Sequence, residues 1–218
     1  MSSASDGGAF NPDGPVAAEI AVLWWVMLAL SVAVFAVFTV ALVAALVRRR
    51  REGDAAAADP RVLRRWVVGG GVVMPTVVLI VVLVFTIAAM RSTPAAAPPG
   101  ALRIEIVGHQ WRYEIHYPEQ DITTTNELHI PVGRPVEFRL TSADVIHSFW
   151  VPRLAGKMDL LPDKTNVLVL QADEPGEHRT VCAEFCGLRH ADMRLLVVAE
   201  SEDDFAAWVA ANEDAAAP

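Results

Sequence analysis

Cysteine is scarce in this chain. Two occur in 218 residues, both within 182–193, so a disulfide-dense framework is excluded and at most one bridge can form. No C-x-x-C-H is present, and with both cysteines held in one stretch no covalently attached haem c is expected. Lys and Arg are missing ahead of the first apolar run, so the basic start of a secretory signal is not expected, nor is a cysteine there for lipid attachment. Charge is wholly lacking over 20–47 and again over 66–90. The overall balance is −8, which sets nucleic acid aside as a partner. No internal repeat is visible.

What is present divides into two parts. Hydrophobic residues make up 53% of the chain, more than a soluble domain usually carries. The first 99 residues hold eight basic and six acidic side chains, and 100–218 hold ten and twenty. The two charge-free runs are each long enough, at about 1.5 Å per residue, to cross a hydrocarbon core about 30 Å thick. Transmembrane helices are therefore expected at 20–47 and 66–90, with Trp24 and Trp25 at an interface. Gly69, Gly70, Gly71 and Pro75 weaken the second without offering lipid any spanning form but a helix. The loop 48–65 carries seven arginines and should be cytoplasmic, which puts both termini and the acidic part outside a bacterial-type plasma membrane. Residues 1–19 are small and polar, with Gly7, Gly8, Pro12 and Pro15, and are expected to be disordered. A stiff Pro-rich linker is expected at 91–100.

Beyond the linker the pattern changes to alternation. L-R-I-E-I-V, P-V-E-F-R-L and T-N-V-L-V-L place apolar residues at every second position, with turn signals at Gly133, Pro162 and Pro175 between them. Over 101–200 this predicts an antiparallel sandwich or barrel. Ser201 followed by Glu202, Asp203 and Asp204 predicts a short closing helix, with a loose tail to 218. The fold class is a membrane-anchored all-β protein: a two-helix transmembrane hairpin, a β-barrel and a short C-terminal helix.

The stretch 182–193, C-A-E-F-C-G-L-R-H-A-D-M, concentrates the chemistry. Two thiols, an imidazole four residues after the second and a thioether three further on are the soft and borderline ligands that copper prefers. Two thiolates can bridge two copper ions, and His147 in D-V-I-H-S-F-W-V-P is the candidate for a second imidazole. Other readings of the same residues stand beside this one. A disulfide needs neither the His nor the Met. Structural zinc would take two Cys and two His but has no use for the thioether. A Cys–His nucleophile is a further alternative. Met193 by itself could be a core residue.

Together G-H-Q-W at 108–111, D-V-I-H-S-F-W-V-P at 144–152, G-K-M-D at 156–159 and the 182–193 stretch resemble subunit II of the haem–copper cytochrome c oxidases. The resemblance covers the two-helix anchor and the whole outer domain. It implies a cupredoxin-type β-barrel at 101–200 that holds the dinuclear copper centre called CuA. By that resemblance Cys182 and Cys186 are the bridging thiolates, His147 and His190 the terminal imidazoles, and Met193 an axial thioether. Glu184 would offer its backbone carbonyl to copper, and its carboxylate to a Mg²⁺ at the boundary with subunit I. Trp111 would be the aromatic that accepts electrons from a cytochrome c-type donor. Asp144 and Asp159 match acidic positions lining the donor's docking face, so a salt-sensitive on-rate is expected. Subunits I and III and the lipid bilayer are the other partners implied.

Phe149, Trp150 and Phe185 are expected to wall the site from water. His109, His116, His129 and His178 are expected to be surface or hydrogen-bonded barrel residues. Two departures from the family pattern stand out. Arg112 and Tyr113 follow G-H-Q-W in place of further aromatics, and 67–71 contains no acid where many members carry a glutamate at a proton path. The expected function is electron transfer from the donor through CuA to haem in subunit I, for O₂ reduction coupled to proton translocation. Rival readings are the electron-input subunit of a CuA-type nitric-oxide reductase and a free-standing membrane-tethered copper carrier. A structural subunit with a Cys182–Cys186 disulfide is the last.

Overall fold

The computed structural model describes residues 8–52, 59–94 and 96–216. The chain forms two compact units, one of Val22–Arg91 and one of Met1–Ala21 with Ser92–Pro218.

In the first unit the apolar runs are helical and longer than their apolar cores. Helix α1 spans Pro15–Glu52 and continues through the arginines, which are good helix formers. Helix α2, Pro60–Val68, starts where Asp59 caps it: the carboxylate accepts from Arg61 N at 2.8 Å, and Pro60 fills the first position, where its missing N–H costs nothing. Gly69–Val73 then forms a single π-turn, with Met74 N donating to Gly69 O, before α3 at Met74–Ser92. Three glycines and Pro75 explain the insertion, since a proline cannot complete the regular ladder one turn back. Pro15–Arg50 and Pro60–Arg91 are both long and apolar enough to cross a membrane.

The second unit is built on alternation. Strands β1 (Leu102–His109), β2 (Arg112–Tyr117), β3 (Ile122–Thr125), β5 (Val136–Ser142) and β8 (Asn166–Leu170) form a sheet in the order β3-β2-β1-β5-β8. Strands β4 (Glu127–Pro131), β9 (Gly176–Arg179) and β10 (Leu196–Glu200) form a second in the order β4-β10-β9, and β6 (His147–Phe149) pairs with β7 (Met158–Leu160). Ile104, Ile106, Ile115, Phe138 and Leu140 from one sheet meet Leu128, Ile130 and Val197 from the other in a single core. That is a sandwich, but not a purely antiparallel one: β1·β5 and β4·β10 are parallel. Alternation fixes which face a side chain takes and carries no information about strand direction.

Helix α4, Glu202–Ala216, opens where Ser201 Oγ accepts from Asp204 N at 3.1 Å and donates to the Asp204 carboxylate at 2.6 Å. It continues to Ala216, into the stretch expected as a loose tail. Its Trp208 stacks on His129, rings 4.3 Å apart.

Residues 1–7 lie outside the described residues, but 8–19 do not behave as the expected disordered lead. Asp13 N donates to Arg153 O and Asp173 N to Asp13 O, each at 2.8 Å, while Arg153 Nε donates to Asn11 O at 2.9 Å. Val16 and Ala17 are buried. Gly14 sits against backbone: a Cβ there would meet Gln171 O and lie 2.9 Å from Leu154 O. Composition suggested disorder because the segment is short and polar. Its order comes from backbone hydrogen bonds to residues more than a hundred positions away.

Candidate metal centre

β9 ends at Arg179, and the chain needs sixteen further residues before β10 begins at Leu196. That span carries the thiols, and it is fastened at both ends. Val181 N donates to Trp150 O at 2.9 Å, and Leu195 N donates to Thr180 Oγ1 at 2.8 Å. Gly187 takes φ of +116°, a conformation that L side chains rarely adopt, and the 3-10 turn His190–Asp192 follows. The loop folds back on itself so that side chains eleven positions apart share one buried volume.

The sulfurs of Cys182 and Cys186 are 3.8 Å apart and unbonded, and both residues are buried. Cys186 Sγ lies 3.5 Å from His190 Nδ1 and 3.8 Å from Met193 Sδ. Cys182 Sγ is 3.3 Å from Glu184 O. His147, fully buried at the start of β6, completes the cluster: its ligand atom and both sulfurs lie within 4.8 Å of one another. Sequence placed these six residues at one site, and the structure brings them together.

The donor set fits a metal. A disulfide needs sulfurs about 2.05 Å apart, whereas sulfurs 3.8 Å apart can share one ion through bonds of about 2.3 Å each. His147 supplies an independent sign. Its Nε2 is 2.7 Å from Asp144 Oδ1, while Nδ1 is buried without any hydrogen-bond partner. Held in this tautomer, Nε2–H donates to the carboxylate and Nδ1 keeps a free lone pair. An unpaired buried acceptor costs about 1–3 kcal/mol, so a cation near the two sulfurs answers an otherwise uncompensated cost. Burial, and then the neighbouring Cys182, pushes the Cys186 thiol up to about 12. A metal cation must therefore displace its proton on binding.

Asp144 does more than face solvent. Its Oδ1 also accepts from Val145 N at 2.6 Å, and Oδ2 accepts from Gln110 N at 2.7 Å. Partial burial works against ionisation, but the hydrogen bonds from His147, Gln110 and Val145 outweigh it and hold the carboxyl below its usual range. Gln110 passes the link on, with Nε2 donating to Cys186 O at 2.8 Å, and Trp111 Nε1 donates to the same oxygen at 3.3 Å. The Gln110–Trp111 peptide is cis. One carboxylate thus ties an imidazole to the G-H-Q-W turn, and that turn to the second thiol. Gly108 of the same motif is close-packed: a Cβ there would lie 2.8 Å from His147 Cδ2. The roles of Gly108 and Gln110 were missed from sequence, although both stand beside Trp111 in the motif.

The remaining candidates lie around the cluster. Asp159, expected on the docking face, accepts from Lys157 Nζ at 2.9 Å. Glu184 keeps its carboxylate 3.5 Å from the same Lys157, whose pKa rises through Asp159 first and Glu184 after it. Phe149 and Trp150 are buried and half-buried, but Phe185 is 78% exposed and covers the cluster only through its ring contact with His190, centroids 5.7 Å apart. Among the other histidines, His129 bonds Glu200 at 2.8 Å and Glu127 at 3.0 Å, and His116 bonds Thr123 at 3.2 Å. His178 is neither at the surface nor hydrogen-bonded: it is 2% exposed and both ring nitrogens lack a partner.

Comparison with known proteins agrees with this architecture. Residues 120–200 match the family described as Cytochrome C oxidase subunit II, periplasmic domain. Cytochrome c oxidase subunit 2 of Alkalihalophilus pseudofirmus is 44% identical over 106 residues, 49% of this chain and 31% of that protein. Ubiquinol oxidase subunit 2 of Acetobacter aceti is 39% identical over 108 residues, 50% of this chain and 35% of that protein. The periplasmic domain of cytochrome oxidase subunit II (CoxB) of Bradyrhizobium japonicum superposes with a TM-score of 0.53 at 28% identity, covering 56% of this chain and all of that one. The matched region spans about a third of the length of these two curated relatives. Through the segment 120–200, which holds the whole ligand cluster, the chain is similar to the periplasmic domain of cytochrome c oxidase subunit II.

Proposed function

We propose that this chain is the electron-input subunit of a respiratory haem–copper oxidase. It would accept electrons from a cytochrome c-type donor at a dinuclear copper centre and pass them to haem in a partner subunit. The observation that carries the reading is the cluster of His147, Cys182 and Cys186, with His190 Nδ1 and Met193 Sδ against Cys186 and His147 Nδ1 buried without a partner. Copper, when bound, supplies a one-electron couple. Everything else falls to the chain.

Cys182, Cys186, His147 and His190, with Met193 and the Glu184 carbonyl, would hold the two ions. The protein's part is to keep those atoms still. His147 is held between Asp144 and the Gly108 backbone, and Cys186 by the carbonyl bonds from Gln110 and Trp111. Ligands locked in this way move little when charge changes, which is what fast electron transfer requires. The Trp111 indole, bonded to Cys186 O, gives an aromatic path from the surface to a ligand residue. The seven arginines of 48–65 favour a cytoplasmic loop, with the acidic domain outside. A Mg²⁺ on the Glu184 carboxylate would have to displace Lys157.

A quinol-oxidising role is the second reading, since quinol oxidase subunits are among the relatives. The ligand set argues against it, because a quinol donor has no need of a buried thiolate pair. A nitric-oxide reductase partner would leave every copper argument unchanged and differ only in the catalytic subunit.

The test is copper loading of the purified full chain, since residues 11–17 belong to the outer unit. Two coppers per chain, a thiolate-to-copper colour and an electron shared between the ions in the EPR spectrum are expected. A colourless product with a Cys182–Cys186 disulfide, or one copper per chain, would overturn the reading.

A further inference from the structure

The second apolar stretch is longer than a membrane needs. Pro60–Arg91 is 32 residues of helix, about 48 Å at about 1.5 Å per residue, against a hydrocarbon core about 30 Å thick. With Arg91 at one boundary, the core is crossed by about residue 71, and α2 falls in the headgroup layer of the other. That helix is sided. At about 100° per residue, Arg61, Arg64 and Arg65 fall within about 100° of arc, opposite Val62, Leu63, Trp66 and Val67. None of these side chains is buried. The three guanidiniums pair with no described carboxylate. Three arginines against Asp59, which caps the helix, leave +2 over 59–68, and seven against three acids leave +4 over 48–65. Topology asks only that such a loop be basic. It does not ask for the cations on one helix face and Trp and Leu on the other, which is how a helix sits in a lipid surface.

Beside α2 lies a groove of about 960 Å³. Phe38 and Ala41 of α1 line one side, Trp66, Gly70 and Met74 the other, and Arg65 is the one charged residue in its wall among those described. Arg65 and Gly69 also border a second recess, which Arg61 and Arg64 line. Phe38 and Ala41 precede Arg48 by ten and seven positions, about 10–15 Å of helix, so the groove reaches from the headgroup layer into hydrocarbon. Glycine keeps it open. Gly69, Gly70 and Gly71 take no positive φ, and a Cβ on any of them would meet nothing within 4 Å. Glycine is a poor helix former, and no contact inside the chain calls for three in a row.

We propose that the basic face of α2 and this groove together hold one anionic phospholipid. Arg61, Arg64 and Arg65 take the phosphate group, and an acyl chain lies along Gly69–Gly71 against Phe38 and Met74. The charge pattern selects this occupant. A partner's transmembrane helix would fill the apolar part and leave three guanidiniums facing no anion. Free phosphate would satisfy the arginines and leave the groove empty. An amphiphile with an anionic head answers both. The site belongs to the membrane anchor and is independent of the copper ligands.

The test uses the full chain, stripped of lipid in detergent and read by native mass spectrometry. Phosphatidylglycerol, phosphatidylcholine and inorganic phosphate are the probes. One phosphatidylglycerol per chain is expected, with phosphatidylcholine held far more weakly and phosphate not retained. Arg64→Gln and Arg65→Gln should each weaken the anionic lipid by about fivefold. Gly70→Leu fills open space and suits a helix better, so helical circular dichroism should hold while the lipid is lost. Equal retention of the two lipids would overturn the proposal, as would phosphate displacing the lipid or indifference to Gly70→Leu. Lipid held by the isolated chain but absent from the complex purified with its partner subunits would give the groove to a neighbouring helix and overturn it too.

Discussion

His147 and His178 are sealed from solvent to almost the same degree, at 0% and 2% exposure, and each has a buried ring nitrogen without a hydrogen-bond partner. Around His147 the neighbours are two thiols on one side and a carboxylate on the other, which fixes the tautomer and aims a lone pair at sulfur. Around His178 the neighbours are Asp13, 3.7 Å from Nδ1, and the cationic Arg153. Burial lowers the pKa of His178, Asp13 opposes that shift and Arg153 adds to it. An orphaned imidazole nitrogen is therefore no metal ligand by itself. Soft donors converging on it make the difference, and a neighbouring guanidinium works against a second cation.

The strongest test of that contrast removes each side in turn. Cys182→Ser or His147→Ala should abolish stoichiometric copper binding, measured as metal per chain after desalting, while His178→Gln should leave it intact. Copper lost equally from all three would dissolve the distinction. Next in size is Asp144→Ala, which leaves His147 Nε2, Gln110 N and Val145 N without their acceptor. Copper affinity should fall by about 10–100-fold in competition with a chelator, the usual range for a residue that orients a ligand. An unchanged affinity would mean that packing against Gly108 alone holds the ring.

The two sites should also differ in how they respond to acid. The Cys186 thiol, pushed up to about 12, must lose its proton to bind metal, so copper affinity should drop about tenfold for each unit of falling pH from this group alone. A flat profile near neutral pH would show that the thiol is already ionised. The smallest effect belongs to His178. Its native pKa lies below the ordinary value of 6.5, so below that pH the unfolded chain binds more protons and native stability falls as pH falls. The thermal midpoint of the copper-free chain should decline from pH about 7.5 to about 5.5, and less steeply in His178→Gln, by a few degrees at most. Equal slopes would remove His178 from the acid response.

Much of this was legible because two short-range patterns carried it. Alternation in L-R-I-E-I-V gave the inward face of β1, where Leu102, Ile104 and Ile106 are buried. Ligand type and spacing gave the cluster, since a loop with two thiols, an imidazole and a thioether has few other uses. What stayed hidden depended on distant backbone. Asp144 read as a surface charge because one of its partners, Gln110 N, lies thirty-four positions earlier. Parallel pairing of β1 with β5 leaves no mark on either strand's own sequence. Phe185 read as a wall because aromatics usually bury, yet it is largely exposed and meets the cluster only through the His190 ring.

The segment around Asp13 has a consequence for how the protein is made. Arg153 Nε bonds Asn11 O across 142 positions, so a ribosome completes Asn11 long before it has produced its seat. At about 5–20 residues per second the wait is roughly 7–28 s, during which 11–17 must not pair with the wrong strand. Closing the sandwich is thus one of the last acts of biogenesis.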